Sequence, residues 1–385
     1  MKTKVSIVNV TEYNSVPEAV EAAIKLIEKD LPFDFTKSDY ILLKPNLLSA
    51  EKDATTQPSF VEGVISYLKN IGVSIKNAKI GDSPGQFKKN ASYVAEKIGL
   101  SEICEREGLE FVNFESEIPV EEAIEDAIRM KKFLVSKPVK DCDILINLPK
   151  LKTHAEATIT GAIKNYWGII PGGLKARYHL LGNTAMRFGE VLADNFSWLV
   201  RNKPNRLTVY DLHRIMQGPR GPNVGDMINW NLILAGTDEL AMDLIALEIG
   251  KFDGLKFVPH LKNVAERNLG ISNFADIEIV GVSLDEAKRK TPRFKVPGSF
   301  MTSFVSYLTG HLGYKIMKKI PFLNRRLCVK CGECAEICPA EAIEFKPRQY
   351  PSYLRKKCIS CLCCMELCPQ HAIEARTRGL MGLFD

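Results

Sequence analysis

Short apolar runs alternate with longer segments of helical periodicity over residues 1–297. Residues 4–10 alternate apolar and polar side chains as a strand does, and residues 17–29 repeat apolar side chains at helical spacing, with Pro17 in the first turn. The pattern continues with predicted strands at Tyr40–Leu43, Lys79–Ile80, Asp143–Leu148, Arg206–Tyr210, Trp230–Ala235 and Asp276–Val280, and predicted helices at Pro58–Asn70, Ser92–Ile98, Leu240–Gly250 and Pro259–Asn268. Such alternation predicts an α/β fold with a mainly parallel sheet covered by helices on both faces.

Charged side chains directly follow or end five of these predicted strands. They are Lys44, Asp82, Lys150, Asp211 and Asp238. Because open parallel sheets bind ligands at the carboxyl edge of their strands, we expect these side chains to share one functional cleft. Taken alone, each is also compatible with an ordinary turn.

Residues 147–179 concentrate hydrogen-bond donors next to Gly-rich and apolar sequence. Such a set predicts an anionic ligand, namely a carboxylate, a phosphate or a metal-bound oxyanion, and a solvated basic loop is the alternative. His154 and His179 lack the carboxylates at fixed spacing of a metal site, so proton donation is favoured. His154 and Lys164 are the predicted catalytic residues, and Asp82, Asp211 and Asp243 are expected to support the site. The predicted substrate-binding residues are Lys44, Asn46, Lys150, Lys152 and Asn165.

One apolar stripe at helical spacing predicts an amphipathic linker helix over residues 298–323. Its positions are Met301, Phe304, Val305, Leu308, Leu312 and Ile316. Lys315, Lys318 and Lys319 near its end suit the negative end of a helix dipole. Docking of the stripe on the preceding domain, which spans residues 1–297, is favoured over association with a membrane surface.

Nine of the eleven cysteines lie between residues 328 and 368, in two copies of one spacing. Both copies read Cys-x-x-Cys-x-x-Cys-x-x-x-Cys-Pro, which brings three thiolates together in a tight loop and places the fourth at the start of a helix. Two zinc sites are the alternative, but zinc prefers paired Cys-x-x-Cys sets. Cys363 breaks the spacing and is expected to be a small buried residue. The motif cysteines are Cys328, Cys331, Cys334 and Cys338, then Cys358, Cys361, Cys364 and Cys368.

Residues 327–375 resemble bacterial-type two-cluster ferredoxins, which are small α+β domains. The resemblance implies two 4Fe–4S clusters and one-electron transfer at low potential. It also implies that the fourth cysteine of each motif ligates the other cluster. The implied ligand sets are Cys328, Cys331, Cys334 and Cys368 for one cluster and Cys358, Cys361, Cys364 and Cys338 for the other. The predicted ferredoxin-like domain spans residues 324–385.

Composition narrows the classes of protein that fit. The chain has 385 residues, 45% of them hydrophobic and 25% charged, as in soluble globular proteins. A net charge of +6 without a long basic run gives no indication of nucleic-acid binding. No stretch reaches the roughly 18 apolar residues of a membrane span, and the N-terminus lacks signal-peptide features, so we expect a cytoplasmic protein. Standard nucleotide-binding signatures such as GxGxxG are also missing.

The chain is similar to a prokaryotic family known as domain of unknown function number 362, often fused to a two-cluster ferredoxin. The segments that match are residues 43–46, 147–154, 163–168, 218–222 and 237–243. The layout resembles proteins with Rossmann-like sheets, and the resemblance implies a redox context but no particular reaction.

Three functions remain open from the sequence. The leading hypothesis is an oxidoreductase that passes low-potential electrons from the clusters to a small anionic substrate or cofactor in the basic cleft. The alternatives are a non-enzymatic electron carrier and a metalloenzyme-maturation scaffold, in which the α/β domain docks a partner. In each case we expect a redox partner protein. Basic residues flank both motifs and would offset the charge of the clusters or attract an acidic partner, and a solvated basic face is the default alternative. They are Arg325, Arg326, Arg355, Lys356 and Lys357.

Overall fold

The fold is taken from a computed structural model that describes residues 2–84, 90–296 and 319–377. In the first two ranges the strands are β1 Thr3–Asn9, β2 Ile41–Pro45, β3 Ala78–Asp82, β4 Glu110–Asn113, β5 Val120–Ala123, β6 Lys132–Val135, β7 Ile144–Leu148, β8 Lys150–His154, β9 Thr158–Thr160, β10 Arg206–Gln217, β11 Asp226–Gly236 and β12 Ile277–Gly281. The helices there are α1 Val16–Lys25, α2 Pro58–Asn70, α3 Ala91–Ile98, α4 Leu100–Glu107, α5 Lys137–Asp141, α6 Ala162–Asn165, α7 Leu174–Tyr178, α8 Ala185–Asn202, α9 Glu239–Ile249, α10 Gly254–Phe257, α11 Pro259–Glu266 and α12 Leu284–Lys290.

Ten of these strands form one sheet in the order β12-β1-β11-β10-β7-β2-β3-β4, with β8 paired to β10 and β9 paired to β8. The pairs from β10 to β4 are parallel, as is the pair of β1 and β12. The predicted α/β fold with a mainly parallel sheet and helices is therefore confirmed. Strands β4, β8 and β9 were not predicted.

Both faces of the sheet are buried, which explains the continuous apolar runs of its central strands. Along β2, Ile41 and Leu43 pack on one side with α1 to α4, while Leu42 packs on the other side with α8, α9 and α11. Residues of β7 alternate in the same way between the two cores.

Strand β11 corrects one prediction about the cleft. It runs antiparallel to both β1 and β10, so its carboxyl end lies at the opposite edge from those of β2, β3 and β7. Asp238, which follows β11, therefore does not share the cleft. Its carboxylate caps α9 by accepting a hydrogen bond from Ala241 N at 2.9 Å.

The C-terminal module contains two motif helices and two small antiparallel strand pairs. Its elements are β13 Lys319–Leu323, α13 Glu333–Glu336, β14 Ile343–Glu344, β15 Ser352–Tyr353, α14 Cys363–Glu366 and β16 Ile373–Thr377. Strand β13 pairs with β16, and β14 pairs with β15. Each of the two cysteine motifs thus contains one short helix.

The predicted linker helix over residues 298–323 is wrong in its last five residues. Lys319–Leu323 is a strand, and Pro321 explains why, since a proline inside a helix removes a backbone hydrogen bond. The module therefore begins before residue 324 and includes β13. The apolar stripe from Met301 to Ile316 lies outside the described residues.

Candidate functional site

A cavity lies where the α/β domain meets the C-terminal module. The domain contributes residues that follow β2 and β3 and residues of β8, β9, α6 and α7, and the module contributes Ile337, Cys363, Glu366 and Leu367. We call it the joint cavity. The cavity lies at the carboxyl edge of the sheet, but Asp82 alone of the five side chains predicted to share a cleft lines it, and the cysteine-rich module supplies one of its walls. The polar residues of its domain wall are Asn46, Asp82, Ser83, Lys152, His154, Thr160, Lys164, Asn165, Lys175 and His179.

Two predicted substrate-binding lysines are engaged in buried ion pairs. Lys44 Nζ lies 2.8 Å from Asp82 Oδ1, and Lys150 Nζ lies 2.8 Å from Asp211 Oδ2. Burial lowers the pKa of the Lys44 ammonium, which the neighbouring Asp82 counteracts. Both lysines are fully buried at the predicted edge, but neither is among the residues that line the joint cavity.

An amide network holds the next three predicted residues in place. Lys152 Nζ donates to Asn46 Oδ1 at 3.0 Å, and Asn46 Nδ2 donates to Asn165 Oδ1 at 2.9 Å. Asn165 Nδ2 in turn donates to Asn147 Oδ1 at 2.8 Å. Burial, together with Lys150 and Lys164, lowers the pKa of Lys152 well below its usual value. The network fixes the orientation of each amide at the cavity wall.

Lys164 is the cavity lysine without a partner in the described parts of the chain. Lys152 donates to Asn46, and Lys175 Nζ donates to Ser83 O and Ser83 Oγ at 2.7 Å each. By contrast, Lys164 forms no hydrogen bond or ion pair with a described residue. Enclosure in the cavity lowers the pKa of its ammonium, although Glu366 and Glu156 lie near enough to oppose this shift. An unpartnered ammonium of this kind is suited to an anion supplied from outside.

His154 is held in one tautomer and points at the module. Its Nδ1 accepts hydrogen bonds from Glu156 N and Ala157 N at 3.1 Å each, so the ring proton of the neutral imidazole lies on Nε2. Nε2 lies 3.0 Å from Glu366 Oε1. Burial and the charge of Lys164 lower the pKa of His154 to about 4, so the ring is neutral at pH 7.

A second histidine–carboxylate pair lies beside the first. His179 Nδ1 lies 3.0 Å from Glu156 Oε2, and the His179 ring stacks on Phe188 with a centroid separation of 4.2 Å. Burial opposes the charged form of His179, but Glu156 outweighs it and raises the pKa of the imidazole. The cavity therefore contains a neutral imidazole and a more basic one side by side.

Glu366 ties the module to the domain. Burial alone would raise the pKa of its carboxyl, but His154, Lys164 and His179 together lower it to about 2. The side chain of Asn223 also donates a hydrogen bond to the backbone oxygen of Glu366. Around this point Ala155 and Ala176 of the domain pack into two small apolar clusters of the module.

Each predicted set of four cysteines surrounds its own cavity in the module. Cys328, Cys331, Cys334 and Cys368 line one space, which we call site I. The other four line a second space, which we call site II; they are Cys338, Cys358, Cys361 and Cys364. The fourth cysteine of each motif thus reaches the cavity of the other motif.

The geometry of these sites fits clusters better than single zinc ions. Within the described ranges, no group of three or more His, Cys, Asp or Glu side chains is placed to hold a single metal ion. Zinc would require its sulfur ligands at about 2.3 Å from one point, whereas a cluster fills the space between more widely separated sulfurs. Backbone N–H groups support the fourth thiolates, because Ala342 N donates to Cys338 Sγ and Ala372 N to Cys368 Sγ, both at 3.2 Å.

Cys363 lies between site II and the joint cavity. It is buried, as expected, and it lines both spaces. The sequence did not predict that Cys363 lies between these two spaces. The spacing of the second motif only excluded Cys363 from the predicted cluster ligands. Site II is therefore directly adjacent to the joint cavity.

The sequence did not point to Glu366 or Glu156, and it gave Lys175 and His179 no specific role in the site. Glu366 lies inside the second cysteine motif, where its neighbours suggested metal binding only. The sole sequence signal for a role in the cavity was the position of Glu156 two residues after His154.

The helices bear on whether the chain crosses a membrane. None of the helices in the described ranges is both long and apolar enough to cross a membrane. The expected cytoplasmic location stays a prediction.

Two stretches of the chain match family models. Residues 41–248 match a model described as a domain of unknown function (DUF362), and residues 327–374 match one described as a 4Fe-4S dicluster domain. The first match spans more than half of the chain. The second includes all eight cysteines of sites I and II.

Comparisons with individual proteins add a relative and two remote structures. A thylakoid-associated protein of Synechocystis sp. is 32% identical over 219 residues, which are 56% of this chain and 64% of that protein. The lactate racemase apoprotein of Thermoanaerobacterium thermosaccharolyticum has a TM-score of 0.39 at 12% identity, over 63% of this chain and 56% of its own. A Thermotoga maritima protein has a TM-score of 0.36 at 14% identity, over 57% and 55%. This chain spans less than two thirds of each of the three.

Proposed function

This chain belongs to the family of the domain of unknown function DUF362, joined to a 4Fe-4S dicluster domain, and from that premise we propose that it is a reductase for a small anionic substrate bound in the joint cavity. The observation that carries the proposal is the shared wall: Lys164 and His154 of the α/β domain face Cys363 and Glu366 of the module across one space. Bound clusters would supply one-electron transfer at low potential.

Lys164 is the proposed anion ligand. Its ammonium lacks a partner among the described residues, and an enclosed charge without a partner is unfavourable until a counter-charge arrives. The neighbouring amide of Asn165 is bonded within the protein, because its Nδ2 donates to Asn147 Oδ1 and to Lys44 O and its Oδ1 accepts from Asn46. It therefore shapes the wall beside Lys164, and the ammonium supplies the donor for the anion.

His154 and His179 are the proposed proton-handling groups. Reduction of most organic anions consumes protons, and a water-poor cavity must supply them from side chains. The neutral ring of His154 holds its proton on Nε2 and points at Glu366. His179 is the more basic ring, because Glu156 stabilises its charged form, and it is the better proton donor near neutral pH.

The proposal is tested first by ligand binding. Anaerobically purified protein is titrated calorimetrically with small carboxylates and phosphates, and co-purified ligands are sought by native mass spectrometry. Lys164→Met removes the charge at similar length and should weaken binding by about 10-fold or more, whereas Lys164→Arg should retain most of it. Lys203→Met is the matched control, since this buried lysine bonds only backbone oxygens of Lys140 and Cys142 far from the cavity wall.

Turnover is tested second. Protein reduced with dithionite is mixed with each bound anion, and reoxidation is followed by the return of its brown absorbance. We expect reoxidation by at least one anion, with loss of this reaction in Lys164→Met and His154→Gln at unchanged iron content. If no anion reoxidises the protein and Lys164→Met binds anions normally, the non-enzymatic carrier is correct instead.

A further inference from the structure

We propose that the surface around site I is the docking site for an acidic one-electron carrier protein. The inference rests on the proposed function, because it assigns the route by which electrons reach a reductase. We call this area the site I surface and define it by Arg325, Arg326, Leu327, Val329, Lys330 and Tyr350.

The two cysteine sites differ in their access to solvent. Cys331 of site I is exposed, whereas Cys361 and Cys364 of site II are buried with 8% and 7% of their surface accessible. Site II borders the joint cavity through Cys363, and site I does not. An external protein can therefore approach closely at site I, and the α/β domain covers the approach to site II.

The centre of the site I surface is apolar. Leu327 is 47% exposed, Val329 is 60% exposed and Tyr350 is 38% exposed. Leu327 and Val329 flank Cys328, so this apolar area lies directly over the cysteine loop. Exposed apolar side chains grouped around one point indicate an interaction site, since interfaces have an apolar centre and a polar rim.

The rim of the surface is positively charged and lacks internal counter-charges. Lys330 Nζ lies 4.5 Å from the centre of the Tyr350 ring, and the Arg325 guanidinium carbon lies 5.3 Å from it. None of Arg325, Arg326 and Lys330 forms an ion pair with a carboxylate in the parts of the chain that the structure describes. Unneutralised cations around an apolar centre are complementary to an acidic protein face and would steer its approach.

A protein fits these observations better than a lipid surface does. Val329 and Lys330 of this surface line site I together with the exposed Cys331, and close approach to that cysteine matters only to a partner that exchanges electrons. An anionic membrane would be attracted by the same charges but gains nothing from Cys331. Vesicle binding is therefore kept as an outcome of the test.

The test measures binding of the complete, cluster-loaded protein to a purified acidic two-cluster ferredoxin by calorimetry. Arg325→Glu/Arg326→Glu should weaken binding by about 10-fold or more, and added salt should weaken binding of the unaltered protein in the same direction. The matched control is Lys356→Glu/Lys357→Glu, which changes the charge equally and lies just before the second motif. We expect the control to change binding by less than about threefold.

Electron transfer is the second readout. The rate of reduction by the ferredoxin, followed by stopped flow, should fall in Arg325→Glu/Arg326→Glu, while reduction by dithionite and the iron content stay unchanged. Lys164→Met should bind and accept electrons normally, so a failure of the anion proposal leaves this one intact. Equal losses in both double variants, or a loss of binding to phosphatidylglycerol vesicles with unchanged ferredoxin binding, would overturn the assignment.

Discussion

At the scale of single residues, the ligand set of site II depends on which of two adjacent thiols, Cys363 or Cys364, binds there. Cys363 and Cys364 are neighbours in α14, and both are buried. Cys364 lines site II only, whereas Cys363 also lines the joint cavity. Both thiols line site II, so the prediction that Cys364 is the ligand rests on the equal spacing of the two motifs.

Replacement of individual cysteines tests this assignment. Cys338→Ser should lose the cluster of site II, because its sulfur comes from the first motif but reaches the second cavity, and iron should fall from about eight to about four per chain. Cys363→Ala should retain about eight irons per chain. Iron and sulfide analysis of anaerobically purified protein measures both. Loss of iron in Cys363→Ala would place the wrong cysteine in the ligand set.

At the scale of elements, the short helix α6 presents Lys164 and Asn165 because a carboxylate from a distant helix caps it. Asp243 of α9 accepts hydrogen bonds from Ala162 N at 2.7 Å and from Ile163 N at 3.0 Å. A helix of four residues is too short to persist without such support. Gly161, just before α6, leaves no room for a side chain, since an added Cβ would collide with Asp243 and with the hydroxyl of Tyr210.

The pH dependence of stability tests the role of Asp243. Burial raises the pKa of its carboxyl to about 7, although the two N–H donors favour the charged form. Since the folded pKa lies above the unfolded value, the contribution of Asp243 to stability is fully present below about pH 4 and is lost as pH rises to 7. Between those limits the loss is about 1.4 kcal/mol per pH unit.

Asp243→Asn removes this titration and keeps a polar side chain of the same size. Between about pH 5.5 and 7, the Tm of the unaltered protein should therefore fall relative to that of the variant, and the difference should level off above pH 7. Thermal unfolding followed by circular dichroism measures this. Parallel pH profiles for the two proteins would show that Asp243 is already ionised across this range.

At the scale of the whole molecule, the joint cavity exists only while the module is docked on the domain. Glu366 makes two of the contacts between them, since its carboxylate lies against His154 and its backbone oxygen accepts from Asn223. Other contacts include the small apolar clusters around Ala155 and Ala176. Only the contact with His154 uses the carboxylate, so its removal tests how much that one contact contributes to docking.

Glu366→Ala should loosen the module without unfolding either part. Removing the polar partner of the buried His154 Nε2 costs about 1–3 kcal/mol, which corresponds to opening that is about 5- to 150-fold more frequent. Hydrogen exchange around Ala155 and Ala176 should accelerate, and small-angle scattering should show a larger radius of gyration. Glu374→Ala is the control, because this glutamate pairs with Arg376 within the module. Unchanged exchange in Glu366→Ala would mean that other contacts hold the module.

The sequence by itself predicted the two cysteine motifs and the α/β layout. Both follow from local rules: a fixed spacing places thiolates in one loop, and apolar periodicity places residues on one face of a helix or strand. The same local rules failed at Asp238, because the direction of a strand in a sheet depends on its neighbours. They also failed at Lys319–Leu323. This segment is a strand because it pairs with β16 and because Pro321 disfavours a helix.

Only the tertiary structure decided which of the predicted lysines line the joint cavity. The sequence named Lys44, Lys150, Lys152 and Lys164 together, because all follow or lie near strand ends. The fold pairs the first two with Asp82 and Asp211 and leaves Lys164 without a described partner. It also brings Glu366 from more than two hundred residues away against His154. Periodicity and spacing describe neighbours along the chain, whereas the charge balance of a cavity is set by residues that are neighbours only in space.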